Sequence, residues 1–456
     1  MGRYFGTDGI RGKAGEDLTS ELAQRVGYAV GRVLRRIYRG RKLPYFPRCE
    51  RAAPAPAVLL ARDPRLSSPM LASSVATGLL VAGANVVDLG MMPTPVLALS
   101  LNAVESIGGI VITASHNPVE DNGIKVFRSN GLKTDSVVEL EIESLLDEPL
   151  PPPQSVDPGK VVCIGAGGIY QPYLRRVLGT NRGGARVVLD LAHGAAAATA
   201  PDAFAEFGYD VRLLHAKADG RKVNVGCGST HVESLQRAVL RLGADWGLAF
   251  DGDGDRVMAV DGNGEVVDGD KMMAILTLGE PRYRRDRRLV FTEMSNLGVE
   301  RYLSERGVTT FRTGVGDTQV LAEMRRRGIN IGGEQSGHII CWDRQCTGDG
   351  VLVGLVLSRL LSRGGRSLAE LAGEIPTYPQ ELVSIPVADH LGWQKNRDFL
   401  KRLHRLTGKY RRRVRMFIRP SGTENVVRVL TEAEDAVLAK AASEEIVGLF
   451  GALERA

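Results

Sequence analysis

Short apolar runs, each followed by a stretch with helical spacing that stops at glycine, recur along the chain. Ala57 to Ala61 predicts a covered strand, Pro69 to Ala82 a helix, Gly83 its stop, and Asn85 to Leu89 a second strand. Val187 to Leu189, Ala195 to Phe207, Gly208 and Asp210 to Leu214 repeat the order. Leu289 to Thr292, Leu297 to Arg306, Gly307 and Val308 to Phe311 repeat it again. Glycine after the helix supplies a C-cap, so each copy reads as a βαβ unit joining parallel strands. Gly109 to Ile112 predicts a further buried strand, because three β-branched residues follow one another, and Asn117-Pro118 then takes the backbone out of regular structure.

The C-terminal part is patterned differently. Leu382 to Val387 reads as a strand, Trp393 to Leu406 as a helix, Val414 to Arg419 and Val426 to Leu430 as strands, and Glu434 to Leu449 as a closing helix. A chain of 456 residues is too long for one core. The expected fold is therefore α/β, with three similar α/β domains of mixed, largely parallel sheets and a smaller C-terminal α+β domain. Pro149 to Gly159, with five prolines in eleven residues, serves as a connector, and Asp261-Gly262-Asn263-Gly264 as a turn. These place the domains at 1–158, 159–262, 263–379 and 380–456. Arg39 to Ala57, rich in Pro and Arg, is expected to be a surface loop.

Composition narrows the classes. Hydrophobic residues at 43% and charged residues at 25% are those of an ordinary globular protein. The longest apolar run, near Val351 to Leu361, is interrupted by Ser358 and Arg359 and is short of the roughly 20 residues a spanning helix needs. The N-terminus shows no signal-peptide core, and Gly6 stands where a myristoylation site wants Ser or Thr. Five scattered cysteines without a Cys-x-x-Cys pair predict reduced thiols in a cytoplasmic protein, with neither a disulfide framework nor a zinc site. The net charge of +6 raises the alternative of a basic nucleic-acid-binding protein. The arginine clusters lie far apart, have acidic neighbours such as Asp286 and Glu323, and lack interleaved aromatics, so they read as solvated faces. Neither nucleic acid nor a membrane is an expected partner.

Chemistry concentrates in a few turns. Ser115 and His116 follow the buried strand, at the edge where open α/β sheets bind ligands. Asp251-Gly252-Asp253-Gly254-Asp255-Arg256 sets three carboxylates in five residues between two apolar runs, and all-oxygen donors of this kind suit Mg²⁺. The loop is not an EF-hand, since Arg256 and Gly262 stand where that motif needs Gly and Glu. Arg419-Pro420-Ser421-Gly422-Thr423-Glu424, with Arg428 nearby, offers hydroxyls, backbone N–H groups and two guanidiniums to a phosphate. Gly332 to His338 offers donors and acceptors that suit sugar hydroxyls.

Taken together, Tyr4 to Gly12, Thr113 to Pro118, Asp121 to Lys125, Gly228 to His231, Asp251 to Arg256, Gly333 to His338 and Arg419 to Glu424 resemble the α-D-phosphohexomutase family, most nearly its bacterial phosphoglucosamine mutases. The resemblance implies a heart-shaped, four-domain intramolecular phosphotransferase with one loop from each domain in its cleft, acting on glucosamine phosphates or, as the alternative, as a phosphomannomutase or phosphoglucomutase of the same family. It implies that Ser115 carries the phosphoryl group and that Asp251, Asp253 and Asp255, with Ser115, hold Mg²⁺. Arg11, Lys125 and Arg256 would surround the phosphoryl, Glu334 and Ser336 would hold sugar hydroxyls, and Arg419, Ser421, Gly422, Thr423 and Arg428 the second phosphate. His116 and His338 are further candidates for proton transfer. Lys125 is the expected general acid or base, its pKa expected to be lowered by Mg²⁺ and arginines. The partner is a sugar phosphate, with a hexose 1,6-bisphosphate as activator; a homodimer and a priming kinase stay open. The chain departs from the family's usual pattern at Pro64, Ser68, Thr318 and Asn425, none of them expected to touch the reacting groups.

Overall fold

The computed structural model describes residues 2–6, 8–39, 56–150, 159–165, 167–179, 183–389, 392–411, 413–420 and 425–454. Most of the loop expected at Arg39 to Ala57 and of the connector at Pro149 to Gly159 lies outside them. Four sheets organise the chain. The first runs Phe5–Gly6, Gly9–Lys13, Asp121–Arg128, Gly108–Ile112, Ala57–Arg62, Asn85–Met91 and Val161–Cys163 in spatial order. The second runs Val266–Val267, Val257–Asp261, Trp246–Phe250, Arg186–Asp190 and Asp210–Leu214. The third runs Thr309–Thr313, Arg288–Thr292, Ile331–Gly333 and Ile339–Cys341. The C-terminal sheet, Gln380–Pro386, Val426–Ala433 and Val414–Pro420, is antiparallel throughout. Val161–Cys163, just past residue 158, pairs with Asn85–Met91 and so adds an edge strand to the first sheet.

In each of the first three sheets the strands of the expected βαβ unit pair in parallel. Gly83, Gly208 and Gly307 take φ values of 73°, 81° and 72° after their helices, the left-handed stop that glycine adopts without a Cβ penalty. Each sheet then reverses. Gly108–Ile112 lies parallel to Ala57–Arg62 but antiparallel to Asp121–Arg128. Trp246–Phe250 and Ile331–Gly333 make the same change of partner. Ser115 to Pro118, Asp251 to Arg256 and Glu334 to His338 are thus the turns of three equivalent hairpins, each at the carboxyl end of its first strand.

Two predicted helices are broken. Ala195 to Phe207 divides into a 3₁₀ turn, Ala195–Ala198, and a helix, Ala200–Glu206, whose first turn takes Pro201, a residue that cannot sit mid-helix. Trp393 to Leu406 divides at Asn396, whose side chain accepts from the Phe399 N–H at 3.0 Å and caps a helix over Arg397–Tyr410. The apolar run near Val351 falls in Gly350–Gly364, a helix packed between the second and third sheets. Among the described residues no helix is long and apolar enough to cross a membrane.

Candidate active site

The Gly108–Ile112 strand is wholly buried, and side chains help to hold its continuation. The Thr113 hydroxyl accepts from the Ser115 N–H at 2.9 Å and donates to Asp63 at 2.7 Å. Ser115 has a φ of 54°, a left-handed conformation that costs a non-glycine residue on the order of 1 kcal/mol and persists only where its surroundings impose it. Arg65 imposes it. Fully buried, this guanidinium donates to the carbonyls of Ser115 at 3.0 Å, Asn117 at 2.8 Å and Asp121 at 3.0 Å, and also to that of Pro118. Its Nε pairs with Asp63 at 3.0 Å, and Ser68 donates to the same carboxylate at 2.8 Å. The stretch holding Pro64 and Ser68, expected to stand clear of the chemistry, therefore braces the serine loop from beneath. Asn224 donates to the Ser115 carbonyl at 2.9 Å from the second domain, and a Cβ on Gly252 would lie 2.5 Å from that same oxygen.

Held this way, Ser115 Oγ donates to Asp251 Oδ2 at 2.6 Å. Asp251, Asp253 and Asp255 are buried, with one carboxylate oxygen from each within 4.8 Å of the others. Burial, and repulsion from Asp255 and Asp253, push the Asp251 carboxyl well above the ordinary range. Burial would raise Asp255 too, but Lys125 and His338 hold it well below. The Oδ1 atoms of Asp253 and Asp255 are buried without a hydrogen-bond partner. A set of convergent carboxylates with two such oxygens fits a hard divalent cation.

Lys125 does not behave as expected. Its ammonium lies 2.9 Å from Asp253, 3.2 Å from Asp8 and 3.4 Å from Asp255. Burial favours the neutral amine, but these three carboxylates outweigh it and raise the Lys125 pKa well above normal. The expectation of a lowered pKa rested on Mg²⁺ and the arginines; the carboxylates of Asp253, Asp8 and Asp255 act in the opposite sense. His116 behaves oppositely: burial, with Arg256 and Arg11, lowers its pKa to about 4, so the ring is neutral at pH 7, with Nδ1 3.4 Å from Ser115 Oγ.

Around this centre lies a ring of paired charges. Arg11 donates to Asn117 at 2.9 Å and to the Ala114 carbonyl at 3.2 Å, and pairs with Asp8. Lys133 bridges Asp8 to Asp317 of the third domain, at 2.6 Å from the latter. His338 Nδ1 lies 3.6 Å from Asp255, its Nε2 accepts from the Gly348 N–H at 3.1 Å, and the flanking carboxylates raise its pKa. Glu334 accepts from the Gly316 N–H at 3.0 Å, and Ser336 stands in the same turn. That turn is seated on the acidic hairpin by a hydrogen bond from the Val257 N–H to the Gly337 carbonyl at 3.1 Å. Arg256 Nε is buried without a hydrogen-bond partner, 3.9 Å from Asp255.

Arg65, Lys133, Asp317, Thr94 and Asn224 were not read from the sequence as site residues. Thr94 donates to Asp253 at 2.6 Å. Arg65 and Asp317 fall in stretches singled out only for departing from the family's pattern, and Lys133, Thr94 and Asn224 in none. Ser115, His116, Arg11, Lys125, Asp251, Asp253, Asp255, Arg256, Glu334 and His338 share one network, and Arg419 and Arg428 are placed on the C-terminal sheet. They face each other across paired strands, beside a cavity of about 80 Å³ that Met294 and Phe417 also line. Ser421, Gly422 and Thr423 lie outside the described residues. The C-terminal sheet docks on the third domain through Glu432, which accepts from the Leu297 N–H at 2.7 Å and from Arg415 at 2.8 Å.

Comparison with known proteins gives four consecutive family matches. Residues 2–150, 171–264 and 268–378 match alpha/beta/alpha domains I, II and III of phosphoglucomutase/phosphomannomutase, and 382–449 match its C-terminal domain. The chain is 43% identical to the phosphoglucosamine mutase of Exiguobacterium sibiricum over 439 residues, covering 95% of this chain and 94% of the relative. It is 42% identical to that of Geobacillus kaustophilus over 453 residues, covering 98% of each. Among solved structures, a phosphoglucomutase/phosphomannomutase family protein from Burkholderia thailandensis superposes with a TM-score of 0.79 at 25% identity, over 98% of this chain and 97% of the other. Aspergillus fumigatus N-acetylphosphoglucosamine mutase, solved with GlcNAc-6P and magnesium, shares the fold with a TM-score of 0.69 at 16% identity, over 98% and 95%.

Proposed function

This chain belongs to the phosphoglucomutase/phosphomannomutase family, and from that premise we propose that it interconverts glucosamine 6-phosphate and glucosamine 1-phosphate through a phosphoserine at Ser115 and a 1,6-bisphosphate intermediate. The observation that carries the reading is Ser115 Oγ, fixed in a left-handed turn and hydrogen-bonded at 2.6 Å to the buried triad. The substrate class rests on relatives above 40% identity over nearly their whole length.

Asp251, Asp253 and Asp255, with an oxygen on Ser115, would hold Mg²⁺, which when bound offsets charge on the transferring phosphoryl. The protein's own groups do the rest. Arg65 and Asn224 hold Ser115 so that Oγ faces the cleft without reorganisation. Phospho-Ser115 gives its phosphoryl to the free sugar hydroxyl: the P–Oγ bond breaks, a P–O bond to the sugar forms, and charge is spread over the equatorial oxygens. Arg11, Arg256 and Lys125 are fixed cations for that charge. Held charged by its raised pKa, Lys125 acts as a cation, and neutral His116, with Nδ1 3.4 Å from Ser115 Oγ, is placed to take the proton of the sugar hydroxyl and pass it to Oγ as the phosphoryl leaves. The bisphosphate then turns over and returns its other phosphate to Ser115, so a second anion site is required. Arg419 and Arg428, with Ser421, Gly422 and Thr423, supply it, and Glu334 and Ser336 hold sugar hydroxyls. Ser115 takes its first phosphoryl group from a hexose 1,6-bisphosphate or from a kinase, in a cytoplasmic enzyme.

The test is a coupled assay with Mg²⁺ and a hexose 1,6-bisphosphate, comparing the 6-phosphates of glucosamine, glucose and mannose. A kcat/KM highest for glucosamine 6-phosphate is expected. Preference for glucose or mannose would keep the phosphoserine chemistry and change the substrate; inactivity with all three would overturn the reading.

A further inference from the structure

A second cluster of metal-binding side chains lies in the second domain, away from the carboxylates. The strands Arg186–Asp190 and Asp210–Leu214 run parallel, and just past their ends the chain turns through His193 and His215, both left-handed with φ of 52° and 47°. Cys227 comes from the loop that follows. One ring nitrogen from each histidine and the Cys227 Sγ lie within 4.8 Å of one another. The thiol is buried, and the half-buried rings meet edge to face at 5.1 Å.

The orientation of the rings is the informative part. His193 Nδ1 meets the Lys217 carbonyl at 2.7 Å, and His215 Nδ1 meets Asp190 Oδ1 at 2.9 Å. An imidazole whose Nδ1–H is anchored on a carboxylate or carbonyl presents Nε2 as a fixed lone pair, which is how ligating histidines are held. Asp190 has no exposed surface, and its other oxygen accepts from the Gly228 N–H at 3.0 Å, tying the anchor to the cysteine loop. Two imidazoles and a thiol are the wrong donors for Mg²⁺ and the right ones for a borderline-soft ion.

We propose that His193, His215 and Cys227 bind one Zn²⁺-class ion, with water in the fourth tetrahedral position. Binding breaks the Cys227 S–H bond, sends the proton to solvent and forms a sulfur–metal bond. Cysteine spacing could not disclose this site, because its three ligands come from separate loops and only one is cysteine. The loop that carries Cys227 also carries Asn224, whose amide holds the Ser115 carbonyl, so an ion here orders a segment that touches the phosphoryl carrier.

The full chain, stripped with a chelator and titrated with Co²⁺ alone, tests the proposal. A thiolate–Co²⁺ bond gives a near-ultraviolet charge-transfer band and intense tetrahedral visible absorption, whereas an all-oxygen carboxylate site gives neither. One equivalent should saturate the band and Zn²⁺ should displace it. The band should persist in Asp253→Asn, disappear in Cys227→Ser, and need at least tenfold more metal in His215→Ala. Absence of the band in the wild-type chain, which requires no variant to fold, or its survival in Cys227→Ser, would overturn the proposal.

Discussion

Ser115 occupies a conformation that its own chemistry disfavours, and the groups that compensate are mostly remote in sequence. That division sets what single substitutions should do. Ser115→Ala removes the atom that accepts the phosphoryl group while leaving Arg65, Asn224 and Gly252 to hold the loop. Turnover should fall by roughly 10³-fold or more, with unfolding stability nearly unchanged. A variant with wild-type kcat in the coupled assay would remove Ser115 from the mechanism. Arg65→Ala should instead act on the fold. It leaves Asp63 as a buried carboxylate without its cation and removes a guanidinium shared by four carbonyls, at a cost of about 3–5 kcal/mol, measurable by urea unfolding. Arg65→Lys should rescue little, because an ammonium cannot reproduce the guanidinium fork.

At the scale of elements, the apolar runs and glycine stops predicted the strands and helices because both signals are local. Asp121–Arg128 was less legible: no strand was predicted over Asp121 to Lys125, yet these residues form one, since Gly9–Lys13 supplies a hydrogen-bonding partner across the chain. The helix Gly269–Gly279 carries a different conflict. Asp270 in its first turn is favoured there by the helix dipole, but burial and the charge of Asp268 push its pKa up to about 7. Between its ordinary value near 4 and about 7 the folded state binds more protons at this group than the unfolded state. This group's contribution to stability is therefore present at acid pH and is lost as pH rises through that window, at up to about 1.4 kcal/mol per pH unit. Asp270→Asn should remove that part of the slope, as seen by comparing urea midpoints at several pH values. An unchanged slope would show that Asp270 does not titrate in this window.

Across the whole molecule, one buried apolar cluster runs through the three α/β domains, and ion pairs join them at the cleft. Lys125 links the first domain to the triad of the second, Lys133 reaches Asp317 of the third, and Glu432 docks the C-terminal sheet. Three buried carboxylates around so few cations leave room for added positive charge. Mg²⁺ at a hundred times its Kd should stabilise the fold by about 2.7 kcal/mol and raise the melting temperature. Chelator should reverse the rise, and Asp251→Asn combined with Asp253→Asn should abolish it; a rise that survives in the double variant would place the ion elsewhere.

The sequence by itself determined the α/β pattern, the βαβ units, the serine turn, the acidic triad and the family, because periodicity, turn chemistry and contiguous motifs are properties of neighbouring residues. Tertiary structure decided everything that depends on approach between distant segments. It put Asp8, with Asp253 and Asp255, beside Lys125, where these carboxylates favour the charged ammonium. It set Arg65 beneath the serine loop and joined Lys133 to Asp317. It gathered His193, His215 and Cys227 from three loops. Coulomb energy, burial and ligand geometry depend on distance in space, and no local pattern of residues encodes that distance.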